Sequence, residues 1–127
     1  MSDRSASPRV PAGELDILEP VQRVRPPVLA LMPHFGEARD SLEAVETLRR
    51  CGYEGLHVVL VDNSDNLPES GYGDNVEILR PGRNVGYCAA VNLGLARARE
   101  RGIELFLLVN NDTETEPKAI EALVDAL

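Results

Sequence analysis

The sequence predicts an α/β chain: a mostly parallel, open sheet with helices on both faces. Two observations carry this. From residue 28 onward, short apolar runs alternate with amphipathic stretches of helical length. Strands that alternate with helices are joined by right-handed crossovers into parallel sheets. The apolar runs are also continuous, not alternating with polar residues, which fits strands covered on both sides.

The first element is Val28-Leu29-Ala30-Leu31-Met32, a buried-strand run ended by Pro33. Glu37 to Arg50 places Leu42, Val45 and Leu48 at helical spacing, and Gly52 follows as a stop signal. His57-Val58-Val59-Leu60-Val61 is a second strand that breaks into Asp62-Asn63-Ser64-Asp65, and Val76 to Leu79 is a third. Tyr87 to Arg101 reads as a helix with Ala90, Val91, Leu93, Leu95 and Ala98 on an apolar face, ended by Gly102. Glu104 to Val109 is a fourth strand, and Pro117 is placed in the first turn of a last helix reaching Leu127. Residues 1–27, with Pro8, Pro11, Pro20, Pro26 and Pro27, read as a Pro-rich extension, flexible or loosely docked. Its Leu15, Ile17, Leu18, Val21 and Val24 could lie along the domain as an extended edge. The domain proper is residues 28–127.

At 127 residues the chain is sized for one domain, and 43% hydrophobic residues suffice for a core. The formal net charge of −8 argues against nucleic-acid binding, which needs a cationic footprint. An acidic protein that handles phosphates needs helix N-termini, local arginines or a divalent cation. Cys51 and Cys88 have no CxxC partner and read as small apolar residues on buried helix faces. No apolar stretch approaches the roughly 20 residues that cross a bilayer, and residues 1–11 contain no secretory h-region. The expected location is the cytoplasm, with peripheral membrane attachment through a partner left open. Gly71-Tyr72-Gly73 lacks the third glycine of a dinucleotide fingerprint; no Gly-Lys-Ser/Thr or Gly-x-Ser-x-Gly occurs, nor zinc-spaced His/Cys.

Three strands end in polar clusters: Pro33-His34-Phe35, Asp62-Asn63-Ser64 and Asn110-Asn111-Asp112. In an open parallel sheet these ends share one edge, where ligands bind. Asp62 can accept hydrogen bonds from a nucleobase imide or a ribose hydroxyl, although Asp-Asn-Ser is equally ordinary turn chemistry. Asp112 offers a hard oxygen ligand for Mg²⁺ or Mn²⁺, or else a helix N-cap. Arg83-Asn84-Val85-Gly86 leads into a helix whose N-terminus favours negative charge. Asn92 and Gly94 within that helix lower its propensity, which points to a packing or functional reason. His57 opens a strand and reads as structural; His34 lies at the crevice with either role open.

In order and spacing, Val28–Phe35, Val58–Ser64, Asn84–Leu95 and Leu107–Thr113 resemble the family 2-like glycosyltransferases of the GT-A fold. The resemblance covers roughly the last hundred residues. It implies the Rossmann-like nucleotide-binding half of such an enzyme, with a nucleoside-diphosphate sugar (a UDP- or dTDP-sugar) as donor. Asp62 would recognise the base, Pro33 and Phe35 would line its pocket, and Asn84 and Gly86 would lie beside the nucleotide. Asn110-Asn111-Asp112 takes the place of the family's Asp-x-Asp motif, with Asp112 on Mg²⁺ or Mn²⁺ and Asn110 or Asn111 near the ribose or sugar. His34-Phe35-Gly36 departs from the family's usual Asn-Tyr-Asn-like turn.

The family's acceptor half and general base would lie beyond Leu127, so the fold is expected to be truncated. No residue here is assigned the base; Glu114 and Glu116 read as solvated loop charges. The acceptor is unknown, and pairing with a separate acceptor domain, or self-association through an uncovered edge, is expected. A catalytically incomplete homologue serving as an interaction module is the alternative. A phospho-receiver is a third reading, weakened by the absence of a Lys at a later strand end.

Overall fold

The computed structural model describes residues 25–127; the rest of the predicted extension lies outside the described residues. The elements are β1 (Val28–His34), α1 (Ala38–Arg50), β2 (Leu56–Asp62), β3 (Val76–Leu79), α2 (Tyr87–Glu100), β4 (Leu105–Leu108) and α3 (Ala119–Asp125). All strands are parallel, in the order β3-β2-β1-β4. After β3 the chain returns over the sheet to the far side of β1, so the strand order reverses between β1 and β4. That reversal is a topological switch point.

The continuous apolar strands are explained by two cores. Val28, Ala30, Met32, Val58 and Leu60 meet Ala44, Val45 and Leu48 of α1 and Ile120 of α3. Leu29, Leu31, Val59 and Val61 meet Ala90 and Ala98 of α2 on the opposite face. Ala90, Gly94 and Ala98 form the buried stripe of α2, while Leu93, predicted on the apolar face, is 39% exposed. A Cβ at Gly94 would lie 2.5 Å from Leu31 Cδ2. The glycine is therefore a packing device that lets α2 sit close against β1.

Two boundaries and the placement of the cysteines differ from expectation. Pro33 lies inside β1 instead of ending it. Asn63 N–H donates to His34 O on the β2 side, and Val109 N–H donates to Leu31 O on the β4 side. The alternation turns Pro33 nitrogen toward β4, whose pairing has already ended at Leu31–Leu108, so no ladder bond is lost. Pro33 thus stops the β1–β4 ladder while β1–β2 pairing runs on to His34–Asp62. Pro117 is not in a first helical turn: Ala119 N–H donates to Glu116 O and Lys118 has φ +66, a tight turn with Pro in its favoured second place. That left-handed residue delays α3 to Ala119. The cysteines are not buried on helix faces; Cys88 is exposed, and Cys51 is half-buried at the C-cap of α1, donating to Glu116 O at 3.2 Å.

Arg25 pairs with Asp125 at 2.6 Å and with Glu121, and Tyr53 hydroxyl donates to Pro26 O. The chain entering β1 is thereby fastened to α3 and to the loop before β2. Among the described residues β4 has one strand neighbour, β1, and Leu108, Leu123 and Leu127 are exposed around it. Among the described residues no helix is long and apolar enough to cross a membrane.

Candidate functional site

The C-terminal strand ends gather four loops. After β1, the Phe35–Gly36 turn is held at three backbone atoms by side chains from two other loops. Asn111 Nδ2 donates to Phe35 O at 2.7 Å, Asn66 Nδ2 donates to Gly36 O at 2.8 Å, and Gly36 N–H donates to Ser64 Oγ at 2.8 Å. After β2, Asn63 accepts from Val85 N–H at 3.0 Å and donates to Gly86 O, tying that loop to the start of α2. Gly86 has φ +89 at the N-cap, where a side chain would be strained. Asn84 Oδ1 accepts from Gly86 N–H at 2.8 Å.

Asp62 is 1% exposed, at the last position of β2. Its carboxylate accepts from Leu67 N–H at 2.9 Å, Asn66 N–H at 3.3 Å and Arg80 Nη1 at 3.0 Å. Arg80 also donates to Leu67 O and Pro68 O. A carboxylate offers about four lone-pair sites, so one acceptor position of Asp62 is left. Burial raises the Tyr72 phenol above its ordinary value, with Arg80 opposing and Asp62 adding to the shift.

Pro33 is buried within β1 and Phe35 is half-buried in the turn after it; Asn110 and Asp112 are exposed and Asn111 is half-buried. The structure therefore brings the sequence-predicted residues to one sheet edge. Asn111 reaches across the switch point to Phe35, whereas Asn84 bonds within its own loop. A cavity of about 520 Å³ opens beside Asn110, between Tyr87, Thr113–Glu116 and Leu123. The Asp62 side is closed by its own bonds.

A cation at this edge would have to be shared with a bound ligand, because the described residues form no protein-only cage. Among the described residues no group of three or more His, Cys, Asp and Glu side chains could hold a metal ion. Asp112 is one exposed carboxylate beside two asparagines, and Mg²⁺ characteristically takes one or two carboxylates with substrate phosphates and water supplying the rest.

Arg80, Asn63, Ser64 and Asn66 hold the site together and were assigned no role from sequence. Arg80 immediately follows a strand, so the strand-end rule that selected Asp62 also selects it. Asn66 carries no periodic or motif signal.

An open parallel sheet with polar loops gathered at its C-terminal edge defines the doubly wound α/β class, whose ligands bind at that edge. Residues 30–127 match the family described as Glycosyl transferase family 2, and the chain belongs to that family. Its parallel sheet with flanking helices is the Rossmann-like nucleotide-binding arrangement of the GT-A fold. An uncharacterized protein of Mycobacterium bovis is 30% identical over 103 residues. Uncharacterized proteins of two Mycobacterium tuberculosis strains match to the same degree. The match takes in 79% of this chain and 37% of each relative, so the chain spans well under half of their length.

Proposed function

We propose that this chain binds a nucleoside-diphosphate sugar, a UDP- or dTDP-sugar, for glycosyl transfer to an acceptor hydroxyl. The observation that supports this best is the joining of the Phe35–Gly36, Asn63–Asn66 and Asn110–Asp112 loops at the switch point. In this reading Asp62 reads the base beside Pro33 and Phe35, which requires that binding uncover a carboxylate with no exposed side-chain surface. Asn84 and Gly86 lie along the nucleotide, and Asn110 and Asn111 face the ribose or sugar toward the open cavity. Asp112 holds Mg²⁺ or Mn²⁺. When bound, that cation supplies Lewis-acid stabilisation of the departing diphosphate and offsets a net charge of −8. The described residues are assigned donor binding and orientation; the acceptor's general base is assigned to none of them.

Calorimetric titration with UDP and dTDP, with and without Mn²⁺, tests this. Metal-dependent binding that Asp112→Ala removes is expected. Equal metal-dependent affinity in Asp112→Ala would refute the assignment. The competing reading, an incomplete homologue acting as an interaction module, draws support from the Asp62 carboxylate, which is already bonded at both oxygens. Absence of nucleotide binding by the folded chain would favour it.

A further inference from the structure

We infer that His34 is a positioning residue that sets the Phe35–Gly36 wall of the nucleotide site by orienting Asn66; this rests on the nucleotide-sugar reading. His34 is fully buried, yet both ring nitrogens are bonded: Nδ1 lies 2.5 Å from Ser41 Oγ and Nε2 lies 2.6 Å from Asn66 Oδ1.

The roles in this network are fixed by its far end. Asn66 Nδ2 donates to Gly36 O, so the amide presents its oxygen to the imidazole. Nε2 must then carry the proton, and in the neutral ring Ser41 hydroxyl donates to Nδ1. Asn66 is an exposed residue in the irregular loop after β2, where its side chain would otherwise sample several rotamers. The imidazole selects one of them, the one that grips Gly36.

Gly36 has φ +91 and nothing within 4 Å of where a Cβ would lie, so no packing holds the turn there and its shape depends on these outside bonds. Asn66 N–H also donates to Asp62 Oδ1. A single residue therefore links the candidate base-reading carboxylate to the wall opposite, and His34 sets that residue's geometry. Pre-organising a wall in this way raises affinity by removing an ordering cost from binding.

The test compares UDP–Mg²⁺ affinity by calorimetry in the wild type, His34→Leu, His34→Gln and Asn66→Ala, with thermal melts of each. His34→Leu and Asn66→Ala are expected to weaken binding about five- to tenfold, the scale of one lost hydrogen bond. His34→Gln keeps an amide donor for Asn66 and is expected to remain within about twofold of the wild type. Asn66→Ala alters an exposed side chain, so it reads the network even if His34→Leu does not fold. In the wild type, ¹⁵N spectra of the imidazole are expected to show the Nε2–H tautomer. Wild-type affinity in Asn66→Ala, or an Nδ1–H tautomer, would overturn this inference while leaving the nucleotide reading intact. No UDP binding by the wild type would overturn that reading, and this inference with it.

Discussion

Replacing Asp62 by Ala measures what its buried carboxylate contributes to the loop it organises. The change removes the acceptor of Leu67 N–H, a buried group bonded at 2.9 Å, and of Asn66 N–H at 3.3 Å. Leaving a buried donor unsatisfied costs about 1–3 kcal/mol; the longer bond, on an exposed residue, adds about 0.5 kcal/mol on the same scale. The partnership with Arg80 joins a carboxylate with no exposed side-chain surface to a guanidinium 33% exposed. It falls between the 0–1 kcal/mol of surface pairs and the 3–5 kcal/mol lost on breaking buried ones, so about 1 kcal/mol is reasonable. The sum is about 2.5–4.5 kcal/mol, a large share of a typical domain's stability.

Urea unfolding of the wild type, Asp62→Ala, Arg80→Leu and the double variant measures this directly. The cycle should return a coupling of about 1 kcal/mol between Asp62 and Arg80. A loss below about 0.5 kcal/mol for Asp62→Ala would refute the reasoning and make the carboxylate a bystander in the loop.

Gly94→Ala should destabilise by about 1 kcal/mol, because overpacking against Leu31 costs about 1–3 kcal/mol and outweighs the roughly 1 kcal/mol of helix propensity gained; a rise in urea midpoint would contradict this. Tyr53 and Tyr72 are raised above their ordinary 10.0 chiefly by burial. Since the folded state resists their ionisation, stability should be full below that pH and fall as pH rises above it; the 295 nm titration and alkaline urea midpoints report both. The exposed Leu108, Leu123 and Leu127 beside β4, an edge strand among the described residues, should promote concentration-dependent self-association, seen by light scattering and reduced by Leu123→Lys. A monomer at every concentration would count against it.

Much of the fold was legible because burial on both faces writes itself as unbroken apolar runs. Val28–Met32 and Val58–Val61 could hardly be read otherwise, and the polar residues that follow them mark the sheet edge. What was hidden depends on long-range register or on single backbone conformations. Pro33 reads as a strand end because proline lacks a donor; only the end of β4 pairing at Leu108 shows that no donor is needed there. Lys118 adopts a left-handed conformation that its side chain does not advertise, so α3 starts later than Pro117 suggests. In the candidate site, Asp62, Phe35 and Asn110–Asp112 were selected by position after strands, and the structure brings them to one edge. Asn66 could not be selected: its importance comes from His34 and Gly36, which lie about thirty residues away in sequence. Gly94 was marked by its helix-propensity cost, and its reason, the contact with Leu31, appears only in three dimensions.

The most direct test of the central claim is amide chemical-shift mapping of the labelled chain on titration with UDP and Mg²⁺. The account predicts saturable shifts confined to the C-terminal sheet edge, at Phe35–Gly36, Asp62–Asn66, Val85–Gly86 and Asn110–Asp112. Shifts centred on the opposite edge, near Gly55 and Gly102, or none in the folded protein, would contradict it.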